Sequence, residues 1–331
     1  MNSLLRRVLL VTFAGVLLYG LFVVYTGMHQ IGSSVSRFHG AAFALALALA
    51  CFNYLLRFGK WQYYLARLEI RGIPLLDSLL VFLTGFVLTI TPGKVGEVFK
   101  SAVLAKTHGI AIERTAPIVI ADRLTDVMGI VLLILAGGAT FPKGLPWALA
   151  GVSAVALGLT FILWQRPALA LCDRLEAGGG RFSRFVPRLR AALTALRVLA
   201  KPSALFVPTA LSVCAWGSEG AALYVLLGGF QQAVSFPLSV IVYSSATLAG
   251  ALVPVPGGLG VVESLLREGL LNWGHVEQGA ATAAMILVRL ATLWWAVVVG
   301  FIALFLLRLR FPAALTDAGR ARASAAETGI G

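Results

Sequence analysis

Apolar residues recur in runs about as long as a bilayer is thick, and the polar positions between them fall in short, biased clusters. The long runs cover 8–26, 38–56, 75–91, 116–137, 146–164, 203–227, 237–253 and 278–307. About 20 apolar residues let a helix cross the roughly 30 Å hydrocarbon core, so each run predicts a membrane helix. The runs are continuous rather than alternating, which argues against a β-barrel. Two further apolar pieces, 96–108 and 259–271, reach only roughly 20 Å at 1.5 Å per residue, too short to cross. Each follows a break rich in Pro and Gly, "TPGKVGEVFK" (91–100) and "VPVPGGLGVVES" (253–264). The pattern predicts an all-α polytopic membrane bundle of about eight spanning helices plus two re-entrant half-helices.

Composition sharpens this picture. Hydrophobic residues make up 59% of the 331 and charged residues 12%, against about 25% charged in a soluble domain. The formal net charge of +13 could point to nucleic acid, but basic residues that flank membrane helices on the cytoplasmic side produce the same excess. No nucleic-acid partner is expected. Cys51, Cys172 and Cys214 are far apart, and His29, His39, His108 and His275 form no HExxH-type pair, so neither a metal nor a cofactor is implied. Arg6 and Arg7 precede the first apolar run without a following A-x-A site, which predicts a retained first helix.

Lys and Arg in the connections set the orientation. Basic clusters occur at Arg6 and Arg7, in 57–71 (Arg57, Lys60, Arg67, Arg71), in 165–201, and in the tail at Arg308, Arg310, Arg320 and Arg322. The intervals 27–37, 138–145 and 228–236 hold Arg37, Lys143 and none. All the basic clusters share one side only if 91–110 returns to the cytoplasm and 254–276 returns to the outside. Both termini are then cytoplasmic and the protein is expected in a bacterial inner membrane. The segment "RFSRFVPRLRAALTALRVLAK" within 165–201 predicts an amphipathic helix drawn to anionic inner-leaflet lipids, joined flexibly through Gly178–Gly180. The organisation expected is a membrane domain over 1–310, with repeat halves at 75–137 and 237–307, and a disordered cytoplasmic tail over 311–331.

The two halves repeat an order of features. Each has Pro-Gly, then a Glu, a half-helix, a turn containing Glu (Glu113, Glu277), and a long helix with an Arg inside it (Arg123, Arg289). With one hairpin entering from each side this is an inverted repeat, and paired Gly/Pro-interrupted segments mark a transporter's midplane site. Pro92, Gly93, Pro256, Gly257 and Gly258 supply broken backbone that must line a cavity or be buried. The half-helix N-termini, with Lys94 beside one, suit an anion. Packing kinks are the bland alternative. Arg289 lies near midplane with no acid at i±3 or i±4, so it needs a partner elsewhere or a substrate; a charge there costs at least about 2.5–3.5 kcal/mol. Arg123 has Asp126 at i+3, which allows a local ion pair, and Asp122 shares a face with Asp126. Glu97 and Glu263 fall in the first turn of a half-helix, where they serve either as helix-start charges or as counter-ions. Glu219 is a weaker candidate of the same kind.

The stretches "TPGKVGEVFKSAVL", "ERTAPIVIADRLTD" and "VPVPGGLGVVE" resemble the signature regions of the lysylphosphatidylglycerol synthase transmembrane-domain family, a flippase-like domain. The resemblance covers about 8–307. It implies an inner-membrane protein linked to lipid translocation. Some relatives carry a soluble aminoacyl-transferase domain; residues 308–331 leave no room for one in this sequence, so lipid aminoacylation is not expected. A lipid translocase for a phospholipid, hopanoid or polyprenyl-linked lipid fits these features best, and a homo-oligomer is compatible with them. No GxxxxGK[ST] motif occurs, so transport is expected to be passive, ion-coupled or partner-driven. Two alternatives are an intramembrane enzyme acting on a lipid phosphate, with Ser101, His108, Glu97 and Glu263 as candidates, and a non-transporting scaffold.

Overall fold

The computed structural model describes residues 38–89, 97–138, 145–177, 185–253 and 255–315, and no strand occurs among them. The predicted first span at 8–26, the break residues Pro92, Gly93 and Lys94, the Gly178–Gly180 joint and all of the tail after residue 315 lie outside the described residues. The helices are α1 (Gly40–Arg67), α2 (Leu75–Thr84) with a 3-10 turn (Gly85–Leu88), α3 (Val98–His108), α4 (Ile112–Gly138), α5 (Leu145–Leu163), α6 (Arg166–Ala177) and α7 (Val186–Leu199). Then follow α8 (Pro202–Gly229), α9 (Phe236–Leu252), a 3-10 turn (Pro256–Gly258), α10 (Val261–Asn272), α11 (Gln278–Arg289), a π turn (Leu290–Trp294), α12 (Trp295–Arg310) and the single turn α13 (Pro312–Leu315).

Among the described residues, three helices are long and apolar enough to cross a membrane: Gly40–Arg67, Pro202–Gly229 and the continuous Gln278–Arg310. The other predicted spans within the described residues correspond to shorter apolar helices, such as Leu75–Leu88 and Phe236–Leu252, or to α4, whose apolar face is broken by Asp122, Arg123 and Asp126. The short pieces predicted at 96–108 and 259–271 are α3 and α10.

The largest departure from the sequence pattern is in α1. The apolar run ends near residue 56, yet the helix continues to Arg67. Most of the predicted basic connection 57–71 is therefore helix. Asn53, Tyr54, Lys60, Trp61 and Tyr64 recur at helical spacing and are buried, so this stretch is amphipathic in reverse: its polar and aromatic face points inward. Arg57 and Lys60 consequently cannot count toward a cytoplasmic charge cluster. The segment 165–201 likewise holds two helices, α6 and α7, where one surface helix was expected.

Buried apolar side chains form two main clusters. One joins Ala46 of α1, Ile130 and Ile134 of α4, the C-terminal half of α8, and α9, α10 and α11. The other joins Tyr54, Trp61 and Tyr64 of α1 with α2, α3, the first part of α4 and α12. Helices α1, α4 and α11–α12 each give one end to each cluster. In α4 the changeover, between Ala121 and Ile130, contains Asp122, Arg123 and Asp126. In α11–α12 it falls at the π turn, between Ala291 and Ala296. Single π turns inside helices recur at functional sites, and this one puts Thr292 beside the polar centre.

The outside of the bundle is apolar in stripes. Val298, Ile302, Phe305 and Leu309 are exposed along one face of α12, as are Leu45, Phe52 and Leu55 on α1. Spacings of three, four and seven residues put each set on one helix face, which suits lipid as the surrounding solvent. At the far end of the first hairpin, Asp77 of α2 meets Arg310 of α12 and lies 3.6 Å from Nε2 of His108 on α3. That clasp ties both hairpin arms to the end of the last long helix.

Close packing at the first hairpin depends on Gly300. A Cβ there would sit 2.7 Å from the Val87 nitrogen and 3.0 Å from the Phe86 carbonyl carbon, so α12 could not rest on the 3-10 turn without moving it. Overpacking of this kind costs about 1–3 kcal/mol. Gly300→Ala is predicted to lower the thermal midpoint of the purified protein by several degrees, whereas Gly228→Ala, where a Cβ meets open space, should leave it unchanged.

Candidate functional site

At the first hairpin, α3 begins beside Glu97, and Arg123 of α4 reaches back to it. Arg123 Nη2 donates to both Glu97 carboxylate oxygens at 2.9 and 3.0 Å. The same nitrogen lies 3.2 Å from Asp126 Oδ2 and 3.4 Å from Asp122 Oδ2. Lys60 of α1 is fully buried, with Nζ 2.8 Å from Asp122 Oδ1, 2.7 Å from Asp126 Oδ1 and 2.7 Å from Ser212 Oγ of α8. Arg57, one helical turn earlier, lies 3.5 Å from Asp122, 3.7 Å from Asp126 and 3.8 Å from Glu97. Three cations thus meet three carboxylates drawn from α1, α3 and α4. Each buried ion has opposite charge close by, which offsets a desolvation cost of several kcal/mol per ion.

The second hairpin uses a simpler version. Arg289, at the end of α11, donates through Nε to Glu263 Oε1 at 2.6 Å and through Nη2 to the Gly257 carbonyl at 2.8 Å. Glu263 is completely buried. Its other oxygen accepts the Gly260 amide at 2.7 Å, one of the backbone donors left open at the start of α10. Pro256 opens the 3-10 turn, and Gly257 and Gly258 have φ of 59° and 67°, backbone that side-chain-bearing residues rarely adopt. A Cβ on Gly258 would also meet Val262 Cγ2 at 2.8 Å. The turn can therefore fold back and present the Gly257 carbonyl to Arg289 only with glycine at these positions.

These two arrangements are the same device. Glu97 precedes Arg123 by 26 residues, and Glu263 precedes Arg289 by 26. In each half a carboxylate at the start of the half-helix is held by an arginine on the helix that follows the hairpin.

A cavity of about 80 Å³ lies between Arg57, at the edge of the first network, and Arg289 of the second device. Arg57, Tyr54 and Phe86 line it from the first side, and Gly257, Gly258 and Arg289 from the second, with Glu219 and Trp216 of α8 between. A water needs about 10–15 Å³ on this measure, so the space suits a few waters or one small polar group. Tyr243 of α9 donates to Glu219 Oε2 at 2.6 Å and lies 3.3 Å from Thr292 Oγ1, while the Tyr54 hydroxyl donates to the Thr292 carbonyl at 3.1 Å. The π turn exposes that carbonyl to a side-chain donor.

The structure brings Arg123, Glu97, Asp122 and Asp126 into one ion network, and Arg289, Glu263, Gly257, Gly258 and Pro256 into another; Glu219 borders the cavity. Arg123 does touch Asp126, as its i+3 spacing predicts, but its shortest contacts are to Glu97. Arg57, Lys60, Tyr54, Tyr243 and Thr292 are additions that the sequence pattern did not single out. Among these Arg57 joins the two halves, since it sits against the first network and also lines the cavity. No nucleophile–base pair forms from Ser101, His108, Glu97 and Glu263 among the described residues: the Ser101 hydroxyl is buried without a hydrogen bond, and His108 faces Thr107 and Asp77.

Residues 10–300 match the family model described as the lysylphosphatidylglycerol synthase TM region. Two curated archaeal proteins are similar over most of their length. The UPF0104 membrane protein PH1989 of Pyrococcus horikoshii is 23% identical over 279 residues, covering 76% of this chain and 82% of the relative. The UPF0104 membrane protein MJ1078 of Methanocaldococcus jannaschii is 21% identical over 226 residues, covering 67% of this chain and 94% of the relative. With the family match spanning both hairpins and both arginine-bearing helices, the chain belongs to the lysylphosphatidylglycerol synthase transmembrane family, as a multi-pass membrane protein.

Proposed function

We propose that this protein moves a lipid headgroup between the leaflets of a bacterial inner membrane, through the polar centre between two hairpins that enter the bilayer from opposite sides. The observation that carries this is the pair of Glu–Arg devices at the same 26-residue separation, one in each half, with one small cavity reached by Arg289 of the second and by Arg57, which sits against the first. Half-helix starts carry unpaired amides and partial positive charge. Two of them held near midplane by buried arginines make a path for a charged group that hydrocarbon would otherwise reject. The acyl chains stay in the lipid along the apolar outer ridges while the headgroup crosses.

In this mechanism Arg57 and Arg289 receive the headgroup. Arg presents a planar fork that binds phosphate through two bonds and does not lose its proton. Glu263 and the Gly257 carbonyl hold the Arg289 guanidinium while the site is empty. Asp122, Asp126 and Glu97 do the same for Arg57, more loosely. The α6–α7 pair rests on anionic lipid of the cytoplasmic leaflet, and both termini are cytoplasmic.

Two experiments test this. Protein reconstituted into vesicles with a fluorescent-headgroup phospholipid should expose inner-leaflet probe to an external quencher; a rate equal to that of protein-free vesicles overturns the proposal. Arg289→Lys should slow the exchange about tenfold or more, since a hydrogen bond to a charged group contributes about 1.5–3 kcal/mol. For topology, single cysteines at Ala170 and Gln231, in a background with Cys51, Cys172 and Cys214 replaced by Ser, should label from opposite faces. Labelling of both from one face would remove the opposed-hairpin arrangement.

A further inference from the structure

We propose that Glu219 is a proton-binding site, and that this protein carries one proton with each anionic group that crosses its polar centre. The proton site stands on the geometry of Glu219 alone; its pairing with an anion rests on the translocase proposed above.

Glu219 of α8 is buried and lines the cavity between Arg57 and Arg289. Around that cavity stand Tyr54 and Arg57 of α1, Tyr243 of α9, Arg289 of α11 and Thr292 of the π turn. The acids of α4 meet α8 at Ser212, about two turns earlier. Four of the five carboxylates at this centre have a guanidinium or ammonium nitrogen at 2.6–2.9 Å: Glu97, Asp122, Asp126 and Glu263. A proton on any of these competes with a fixed cation. The short bond of Glu219 is to a phenol, Tyr243, at 2.6 Å.

A phenol can reverse that bond. Tyr243 has one hydroxyl hydrogen and two acceptors within reach, Glu219 Oε2 at 2.6 Å and Thr292 Oγ1 at 3.3 Å. Thr292 gives its own hydrogen to the Val288 carbonyl at 2.8 Å, which leaves its oxygen open to accept. With Glu219 ionised, Tyr243 donates to the carboxylate. With Glu219 protonated, the carboxyl donates to the Tyr243 oxygen, and the phenol hydrogen turns to Thr292. Every hydrogen has an acceptor in both states, so neither state strands a buried donor. Glu263 has no such option. Its oxygens accept from the Arg289 Nε–H and the Gly260 amide, groups that cannot accept a hydrogen in return. A few waters in the cavity suffice to bring the proton to Glu219.

The charge balance says what travels with the proton. Among the described residues the centre holds five cations, Arg57, Lys60, Lys100, Arg123 and Arg289, and five carboxylates, of which Glu219 is the fifth. It is neutral while Glu219 is ionised. An anion entering so small a cavity lies beside that carboxylate, and two like charges repel unless one of them takes a proton. A proton on Glu219 leaves the centre with one positive charge in excess, which one singly charged anion cancels. Anion and proton therefore enter together, and the pair is neutral as it crosses.

Two measurements on the full-length protein test this. In detergent, infrared difference spectra taken from alkaline to mildly acid pH should gain the carbonyl stretch of a protonated carboxyl in wild type. Glu219→Gln, whose amide oxygen still accepts the Tyr243 hydrogen, should lack that band. Glu219→Asp should keep it at a shifted frequency, and serves in place of the Gln variant if that one does not fold. Absence of the band in wild type, or a band unchanged in both variants, overturns the proton site. The second measurement uses vesicles that contain an anionic phospholipid with a fluorescent headgroup. Under a pH gradient of about one unit, wild type should gather the probe about tenfold in the alkaline leaflet, the limit for one proton per anion, beyond what protein-free vesicles show. A membrane potential should leave that ratio unchanged, and Glu219→Gln should give an even distribution. Wild type that spreads the probe evenly across the gradient overturns the coupling and leaves the translocase standing, and accumulation by Glu219→Gln does the same. A ratio set by the potential overturns the pairing of one proton with one anion. A Glu219 band together with no lipid movement contradicts the translocase and leaves the proton site standing.

Discussion

A guanidinium inside an apolar helix bundle must find an acceptor, and in this protein it finds the start of the preceding half-helix. Arg289 and Glu263 have side chains 8% and 0% exposed. Removing one member of a buried pair costs about 3–5 kcal/mol, because the other is left as an uncompensated charge. That penalty makes the pair a positional constraint rather than an ornament on the helix. It fixes where α10 begins relative to α11, and the Arg123–Glu97 pair does the same for α3 and α4. The positive-φ glycines at 257 and 258 belong to the same constraint, since they let the Gly257 carbonyl reach Arg289.

The two halves then diverge around the shared device. The second is spare: one arginine, one carboxylate, one backbone carbonyl and one backbone amide account for each other. In the first, α1 adds Arg57 and Lys60 and α4 adds Asp122 and Asp126, so the constraint becomes a network spread over α1, α3, α4 and Ser212 of α8. A spread network can share a charge among alternative partners at 3.2–3.8 Å, whereas the 2.6 Å bond of Arg289 is committed. This difference makes the first half the more adaptable side of the polar centre and the second half the more rigid one.

Much of this was legible in the sequence. The Pro-Gly breaks at 91–100 and 253–264, the short helices after them and the isolated Arg289 all stand out against apolar surroundings. Run length failed at α1, because Arg57, Lys60 and the tyrosines interrupt the hydropathy while keeping helical spacing. The signal was present in the acid count: Glu97, Asp122 and Asp126 could not all be served by Arg123. Pairing by sequence proximity ranked Asp126 first for Arg123, but the carboxylate 26 residues away lies closer. The equal separation of Glu97–Arg123 and Glu263–Arg289 is readable from the residues alone, but Glu113 and Glu277 of the following turns stand 10 and 12 residues from the same arginines and obscure it. The π turn has no sequence signature of its own, since it arises where α11 and α12 pass from one apolar cluster to the other.

The most direct test of the central constraint is a double-mutant cycle on each device, read as thermal stability in detergent. Glu263→Gln, Arg289→Gln and the double variant form one cycle, and Glu97→Gln, Arg123→Gln and their double the other. Each single change should destabilise strongly, and each double should be less destabilised than the sum of its singles, with coupling of about 1 kcal/mol or more in both halves. Additive effects, within about 0.3–0.5 kcal/mol, would show that the arginines and glutamates act independently and that the half-helix starts are fixed by something else.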